Sequence, residues 1–575
     1  MLTLGINAAF HDCSACIVRD GIVLAAAEEE RFTRIKHGKR PVPFTVWQLP
    51  FHAIDYCLRE AGTALNGIDH VAYAYDPWLQ LPRDSDVLSL PLQPSKAPAA
   101  AAPSPWEPLA LAYVVNAPRQ LAGGAPHHLR ERFAGASADG PYRWHFVEHH
   151  RAHEASAFLA APFDDCGVLA IDGRGERATT SYGLYRGGRY RRLRQLDLPN
   201  SLGLLYEAVT SHLGFLHSSD EYKVMALASY GQPAYARELL EHVHWRGDGD
   251  VRIDAVDCRE LLGEARVRGA PLVQRHFDIA RSLQQVLEDT VLQMARWLHD
   301  QTQSPNLALA GGVALNCVMN ARLRDDGPWQ RVWVQPAAGD AGTALGAALW
   351  TDAQQRGDGV RRWQMDHAYL GPAFSDDEIE SLLQQARLPF RRARNLAAEV
   401  AALLAQDKVI GWFQQRMEFG PRALGARSIL ASPLDAGMQA RLNLIKDRED
   451  FRPVAPVVPD EEAGDWFEGA HDAPFMTFTY RVRSDRVVRI PAVRHVDGSA
   501  RVQTVTPAQN PALHALLHAF KALTGVPVLV NTSFNTRGEP VVCTPRDALE
   551  SFCTTALDAL AIGPFIIDKS GWGQG

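Results

Sequence analysis

The stretch that decides the fold is LALAGGVALNCVMNARL, residues 307–323. Its apolar start runs into Gly311–Gly312, and a helical pattern follows, so the stretch predicts a strand, a glycine turn and a helix. The stretch VWVQPAAGDAGTALGAALW, residues 332–350, repeats that plan around Gly339–Asp340. Strand, turn and helix in succession indicate an α/β protein.

The N-terminal part contains a second kind of repeat. Strand, turn and strand are predicted within residues 1–30, and again from GVLAIDGRGE at residue 167 onward. Two such units, each followed by a glycine turn into a helix, predict a duplicated α/β nucleotide-binding domain with a central cleft. The pattern restarts near residue 365, so we predict domains at 1–365 and 366–575. A Pro/Ala-rich insertion near 78–124 reads as exposed and partly disordered, or as a lid on the acceptor side.

Composition excludes several classes of protein. The 575 residues carry a net charge of -7, which argues against a nucleic-acid partner. No run of about 18 apolar residues occurs, so no membrane span is expected. The N-terminus lacks the pattern of a signal peptide, and the 8 cysteines form no disulfide framework, so we expect a reduced cytoplasmic setting.

Four residues have the character of metal ligands. His149 and His153 stand at positions i and i+4 of HHRAH and would share one face of a helix. Asp172 follows the apolar run GVLAI, and Asp340 lies in AAGDAG. Two imidazoles and two carboxylates suit a first-row divalent metal; we expect Fe²⁺, with Zn²⁺ and Mn²⁺ as alternatives.

Two other groups have the character of phosphate contacts. Gly311–Gly312 stands between a strand and a helix, where the backbone can approach a nucleotide. The C-terminal part contains cations beside turn residues, and arginine forks and a lysine point charge suit phosphate oxygens. A solvated basic face is the alternative, although small apolar residues flank the arginine of FGPRALG. These cations are Arg422, Lys446, Arg452 and Arg501.

The chain resembles the NodU-type O-carbamoyltransferases, which include tobramycin and cephalosporin carbamoyltransferases. The matching stretches run from residue 10 to 540, and the most specific are FGPRALGARSIL, residues 419–430, and NTSFNTRGEP, residues 531–540. The resemblance implies a duplicated N-terminal domain of the actin/hexokinase (ASKHA) superfamily and a YrdC-like α/β C-terminal domain. It also implies that the C-terminal domain makes carbamoyl adenylate from carbamoyl phosphate and ATP, with Mg²⁺. The N-terminal domain would then pass the carbamoyl group to a hydroxyl of a small acceptor, a secondary metabolite.

The resemblance also implies roles for individual residues. His11 would be the base that activates the acceptor, and the four metal-type residues above would hold the metal. Adenylate contacts in the first domain would be Lys36, Gly311, Gly312 and Asn316, with Lys223 as a further candidate. Contacts to carbamoyl phosphate and ATP would be Arg422, Lys446, Arg452, Arg501 and Ser533.

Two other functions share these features. A tRNA threonylcarbamoyl-type modification enzyme has both kinds of domain, but the acidic chain shows no basic stripe for RNA. A non-enzymatic ATP-binding regulator of the actin-like superfamily would not need the four metal-type residues. The sequence leaves the oligomeric state open, with a homodimer as one arrangement, and does not identify the acceptor.

Overall fold

A computed structural model describes residues 1–38, 49–81, 107–123, 140–536 and 538–571. Most of the Pro/Ala-rich insertion predicted near 78–124 lies outside these ranges. The described strands are β1 (Leu2–Asn7), β2 (Ser14–Arg19), β3 (Ile22–Glu28), β4 (His70–Tyr73), β5 (Arg143–Phe146), β6 (Asp165–Ile171), β7 (Ala178–Arg186), β8 (Arg189–Asp197), β9 (Val243–Trp245), β10 (Val251–Ile253), β11 (Asn306–Ala310), β12 (Arg331–Val334), β13 (Arg391–Arg392), β14 (Ile410–Phe413), β15 (Arg427–Ala431), β16 (Ala455–Pro459), β17 (Tyr480–Arg481), β18 (Ser499–Ala500), β19 (Gln503–Val505), β20 (Leu529–Ser533), β21 (Ala559–Ile562) and β22 (Phe565–Asp568).

Helices connect these strands. None of those within the described ranges has the length and apolar character needed to cross a bilayer. The α-helices are α1 (Glu30–Thr33), α2 (Phe51–Glu60), α3 (Glu107–Val115), α4 (Ala117–Gly123), α5 (His149–Phe158), α6 (Leu202–His212), α7 (Glu221–Leu227), α8 (Ala236–Leu240), α9 (Cys258–Leu262), α10 (Gln274–Thr302), α11 (Cys317–Asp326), α12 (Ala341–Arg356), α13 (Asp376–Ala386), α14 (Leu396–Leu404), α15 (Met438–Ile445), α16 (Asp460–Ala463), α17 (Pro511–Thr524) and α18 (Pro545–Thr554).

The chain divides into two compact units. The first contains Met1–Gly203, Trp297–Ala314 and Trp329–Met365. The second contains Leu204–Arg296, Leu315–Pro328 and Asp366–Gly575. The second unit therefore includes segments from before residue 365, and the functional division into 1–365 and 366–575 stays a prediction.

The first unit contains two sheets of identical topology. One has the strand order β3-β2-β1-β4-β5, and the other, read in the matching direction, has β8-β7-β6-β11-β12. In each, the first three strands pair antiparallel and the last two join in parallel. This repeat confirms the predicted duplicated α/β fold.

Helix α12 packs closely on helix α5 inside the first unit. A Cβ atom at Gly346 would lie 1.8 Å from the carbonyl oxygen of Ala152, so only glycine fits there. The same helix packs on β1. Because close-packed interiors leave little room for movement, α5 and α12 hold their N-terminal residues in fixed positions.

The second unit is built on a mixed eight-stranded sheet with the order β13-β22-β21-β14-β15-β20-β16-β19. Strand β14 is parallel to β21 and antiparallel to β15, and β16 is parallel to β19. Large buried side chains, among them Trp412, Phe520 and Phe534, fill its core. The predicted α/β class is confirmed for this unit as well.

Candidate functional site

His149 and His153 of HHRAH lie on the first turns of helix α5, as predicted. Their Nε2 atoms are 3.1 Å apart, and both side chains are fully buried. The helix begins at His149 because the carboxylate of Glu176 accepts a hydrogen bond from the His149 backbone N–H at 2.9 Å. His150 points away, with its Nδ1 3.3 Å from Ser181 Oγ.

Asp172 is held by the glycine pair that the sequence singled out. Gly311 has a φ of +87°, and a Cβ there would lie 2.2 Å from the carbonyl oxygen of Ile171. This close approach lets the Gly312 N–H donate to Asp172 Oδ1 at 2.8 Å. The other carboxylate oxygen, Oδ2, then lies 3.4 Å from His149 Nε2. The glycines position Asp172, and their predicted contact with a nucleotide stays a prediction.

Asp340 completes the cluster from the N-terminal end of α12. Its Oδ1 lies 3.6 Å from the Nε2 atoms of both His149 and His153. Ligands that surround a metal tetrahedrally at about 2.0–2.2 Å are about 3.3–3.6 Å from one another. The separations that involve a histidine, 3.1 to 3.8 Å, are close to those of that arrangement. We call these four residues the ligand cluster: His149, His153, Asp172 and Asp340.

The ligand cluster fits a divalent cation on electrostatic grounds too. It places two carboxylates in a buried setting, and Asp340 Oδ2 is buried without a hydrogen-bond partner among the described residues. Burying uncompensated carboxylates is costly, and a dication bound among them would offset both charges. The residues present therefore suit a bound first-row metal.

His11 lies beside the ligand cluster and belongs to a short chain of polar groups. Its Nδ1 is 2.9 Å from Asp12 Oδ2, and the other oxygen of Asp12 is 2.7 Å from His37 Nδ1. The Nε2 of His11 is thus directed at the cluster, 3.8 Å from Asp340 Oδ2. Burial alone would lower the pKa of His11, but the carboxylates of Asp340 and Asp12 raise it to about 10. A metal bound by Asp340 would offset the charge of that carboxylate and would lower the pKa of His11 again.

The sequence did not single out Asp12 or His37. Both have backbone φ angles in the left-handed region, +49° for Asp12 and +63° for His37. Such conformations are uncommon outside glycine and cluster at functional sites. Lys36 precedes His37 in the same turn, and its predicted adenylate contact stays a prediction.

The second unit contains a group of arginines that we call the arginine cluster: Arg422, Arg448, Arg452 and Arg501. The pKa of Arg422 is lowered to about 9 by burial and by the guanidinium groups of Arg501 and Arg452. Burial and the same two neighbours lower the pKa of Arg448 to about 9. A bound polyanion would favour the charged forms of arginines whose pKa values are lowered in this way.

Few protein groups neutralise the arginine cluster. Arg422 donates to the Leu315 carbonyl oxygen at 3.3 Å. In the part of the chain that the structure describes, neither Arg422 nor Arg501 pairs with a carboxylate, and Arg501 Nε is buried without a hydrogen-bond partner. Arg452 stacks on Tyr222, with 4.7 Å from Cζ to the ring centroid. The sequence pattern did not single out Arg448, although it lies between Lys446 and Arg452 in KDREDFRP.

Lys446 is buried among oxygen atoms of its own chain. It is 4% exposed and donates hydrogen bonds to the carbonyl oxygen of Asn535 and its Oδ1, both at 2.8 Å, and to the Ser533 carbonyl oxygen. Burial and the charges of Arg448 and Arg452 hold its pKa well below the usual value. Lys446 therefore fastens the end of α15 to the end of β20, and its predicted phosphate contact stays a prediction.

Two other predicted contacts lie in the second unit. The ammonium of Lys223 is 3.0 Å from Glu449, whose carboxylate is 3.8 Å from Arg452, so Lys223 borders the arginine cluster. Asn316 caps helix α11 by accepting from Met319 N at 3.0 Å. These are structural contacts, and the nucleotide contacts of both residues stay predictions.

Comparison with known proteins matches both parts of the chain. The family described as Carbamoyltransferase N-terminus matches residues 2–79 and 141–349, and Carbamoyltransferase C-terminus matches residues 401–569. An uncharacterised protein of Synechocystis is 40% identical, over 99% of this chain and 97% of its own. The nodulation protein NolNO of Sinorhizobium fredii is 38% identical, over 98% of this chain and 80% of its own. The 3'-hydroxymethylcephem-O-carbamoyltransferase of Amycolatopsis lactamdurans is 34% identical, over 68% of this chain and 74% of its own.

Proposed function

Because the chain belongs to the carbamoyltransferase family, we propose that it transfers a carbamoyl group, activated with ATP, to a hydroxyl of a small molecule. The observation that carries the proposal is the position of His11. Asp12 holds its Nδ1, and its Nε2 is directed at the ligand cluster, 3.8 Å from Asp340. An imidazole oriented in this way suits general-base catalysis on a hydroxyl.

The proposed reaction has two halves. Water releases phosphate from carbamoyl phosphate, and an oxygen of the resulting carbamate attacks the α-phosphorus of ATP, which releases pyrophosphate. The hydroxyl oxygen of the acceptor then attacks the carbamoyl carbon of this adenylate, and AMP leaves. The hydroxyl proton passes to His11 Nε2.

The arginine cluster suits the first half. Carbamoyl phosphate and the triphosphate of ATP, with its Mg²⁺, are compact polyanions, and guanidinium forks bind their oxygens in pairs. Because Arg422 and Arg501 lack carboxylate partners among the described residues, an incoming anion would not need to displace an ion pair at either. Lys446 and Ser533 would support this site by holding the loop after β20.

The ligand cluster suits the second half. A metal held by His149, His153, Asp172 and Asp340 would act as a Lewis acid toward an oxygen of the adenylate or the acceptor. Fe²⁺ is our expected ion, with Zn²⁺ and Mn²⁺ as alternatives. His11 orients the acceptor hydroxyl, and Asp172 and Asp340 supply the negative charge that the metal requires.

The relatives support a choice of acceptor class. The name of one relative includes hydroxymethylcephem, a small molecule with a primary hydroxyl. With a net charge of -7, the chain suits a small acceptor better than tRNA. We therefore propose a hydroxylated secondary metabolite as the acceptor.

Mass spectrometry tests this function. The full-length protein is incubated with ATP, carbamoyl phosphate and a panel of hydroxylated metabolites, and each metabolite is searched for the mass of one added carbamoyl group. The proposal predicts a product that requires both ATP and carbamoyl phosphate. A carbamoylated nucleoside in bulk tRNA, with no modified metabolite, would overturn the choice of acceptor.

A further inference from the structure

A second group of metal-type side chains lies on the surface of the second unit. His514 and His518 stand one turn apart on α17, and Glu461 lies on α16. Glu461 Oε1 is 2.8 Å from His514 Nε2 and 3.0 Å from His518 Nε2. Both imidazoles thus point their Nε2 atoms at one carboxylate oxygen. We call these three residues the surface triad.

The surface triad has the geometry of a metal site. Ligand atoms bound at about 2.0–2.1 Å to one ion are about 2.8–3.4 Å from one another, depending on the coordination geometry. The two His–Glu separations already fall in that range, and the three ligand atoms all lie within 4.8 Å of one another. The i and i+4 spacing of the histidines is the spacing that lets one helix bind one ion with two imidazoles.

Neighbouring charge favours a cation there as well. Glu462 Oε1 lies 3.9 Å from Nδ1 of His518, on the side of the ring away from Glu461. A carboxylate that accepts a hydrogen bond from the second nitrogen of a ligating histidine is a frequent companion of zinc, and Glu462 would have to move closer to do so. Lys521 is paired with Glu462 at 2.7 Å and leaves Glu461 to the histidines.

We propose that the surface triad binds a divalent cation of the zinc class, through His514 Nε2, His518 Nε2 and a Glu461 oxygen. Two imidazoles and one carboxylate are a typical ligand set for Zn²⁺, with water in the remaining positions. Exposed fractions of 41% for His518 and 50% for Glu461 leave room for that water. The ion fastens α16 to α17, which are far apart in sequence. The site is independent of the carbamoyl-transfer proposal and shares no residue with the ligand cluster.

Titration of the full-length protein with Zn²⁺ tests this proposal. The metal content of the purified protein is measured first, so that ions already present are counted. Calorimetry should then show one further equivalent of Zn²⁺ bound at about pH 7.5, and the melting temperature should rise as Zn²⁺ is added.

Two variants of the surface triad and one control variant distinguish Zn²⁺ binding at the triad from Zn²⁺ binding elsewhere. Glu461→Gln and His518→Ala should each weaken the affinity for the added Zn²⁺ by at least about tenfold, which corresponds to roughly 1.4 kcal/mol. His244→Ala removes an exposed imidazole that also pairs with a carboxylate, at 2.9 Å from Asp254, and should leave Zn²⁺ binding unchanged. No added equivalent in the wild type, or the same affinity in wild type, Glu461→Gln and His518→Ala, would overturn the proposal. Circular dichroism and the melting temperature without Zn²⁺ check that each variant is folded.

Discussion

The ligand cluster and the arginine cluster gather charged side chains of opposite sign, the first on regular elements and the second on loops. The ligand cluster gathers two carboxylates and two imidazoles on the ends of regular elements: helix α5, strand β6 and helix α12. The arginine cluster gathers guanidiniums from loops, and the charges of Arg452 and Arg501 lower the pKa of Arg422. The first cluster therefore suits a cation, and the second suits an anion.

The comparison teaches which substitutions will have which effect. Loss of a carboxylate from the ligand cluster removes the charge that attracts the metal. Loss of an arginine from the arginine cluster relieves repulsion in the folded protein while it weakens the binding of the anion. Activity should therefore fall in both cases, but folding stability should respond differently.

The largest effect is expected for Asp340→Asn. The amide keeps the shape but removes one of the two negative charges and leaves only a weaker, neutral oxygen ligand, so metal content should fall from one equivalent toward background. Product formation should fall by more than the roughly 10–100-fold typical for the loss of an outer-shell partner. Elemental analysis gives the metal content, and mass spectrometry gives the product. Equal metal in variant and wild type would remove Asp340 from the ligand cluster.

A smaller loss is expected for Arg422→Ala. One charged hydrogen bond to phosphate is worth about 1.5–3 kcal/mol, so carbamoyl-phosphate-dependent pyrophosphate release should fall roughly 10–100-fold. Arg441→Ala, which removes an arginine paired with Asp558, is the matched control and should retain that release. A melting temperature that stays level or rises in Arg422→Ala would fit the relief of repulsion. Unchanged release would remove Arg422 from the anion site.

Lys446→Arg should alter stability more than catalysis. The buried ammonium is surrounded by oxygens of Ser533 and Asn535, and a planar guanidinium does not fit that arrangement. Leaving buried acceptors unpaired costs about 1–3 kcal/mol, so the free energy of unfolding in urea should fall by that amount. An unchanged free energy of unfolding, together with altered carbamoyl phosphate kinetics, would instead favour the direct phosphate contact predicted from sequence.

The smallest effect is expected for the shift of melting temperature when pyrophosphate binds the arginine cluster. Because the arginines repel one another in the folded protein, an anion that binds them should raise the melting temperature by mass action. Pyrophosphate should raise it by a few degrees and chloride at equal ionic strength should not, as differential scanning fluorimetry would show. Arg422→Ala should reduce the pyrophosphate shift. Equal shifts with both anions would indicate salt screening and no site.

Part of this architecture was predictable because it is local in sequence. The i and i+4 spacing of His149 and His153, and an aspartate at the end of a buried strand, predict the ligand cluster from the sequence alone. The repeated strand and turn pattern predicts the duplicated sheets. These features depend on periodicity and on which residues follow a strand.

The rest depends on tertiary proximity, which periodicity does not encode. Asp12 joins His11 to His37 because two left-handed turns bring them together. Arg448 belongs to the arginine cluster although its neighbours Asp447 and Glu449 suggest a solvated charged loop. The burial of Lys446 arises from the loop after β20, 87 residues further along the chain.

One measurement tests the central claim most directly: pyrophosphate release and product formation in Asp340→Asn and Arg422→Ala, side by side. The division of labour between the two clusters predicts that Asp340→Asn still releases pyrophosphate when carbamoyl phosphate is present, yet forms no carbamoylated acceptor. It predicts that both activities fall together in Arg422→Ala, roughly 10–100-fold. Pyrophosphate release that disappears in Asp340→Asn and persists in Arg422→Ala would contradict the account.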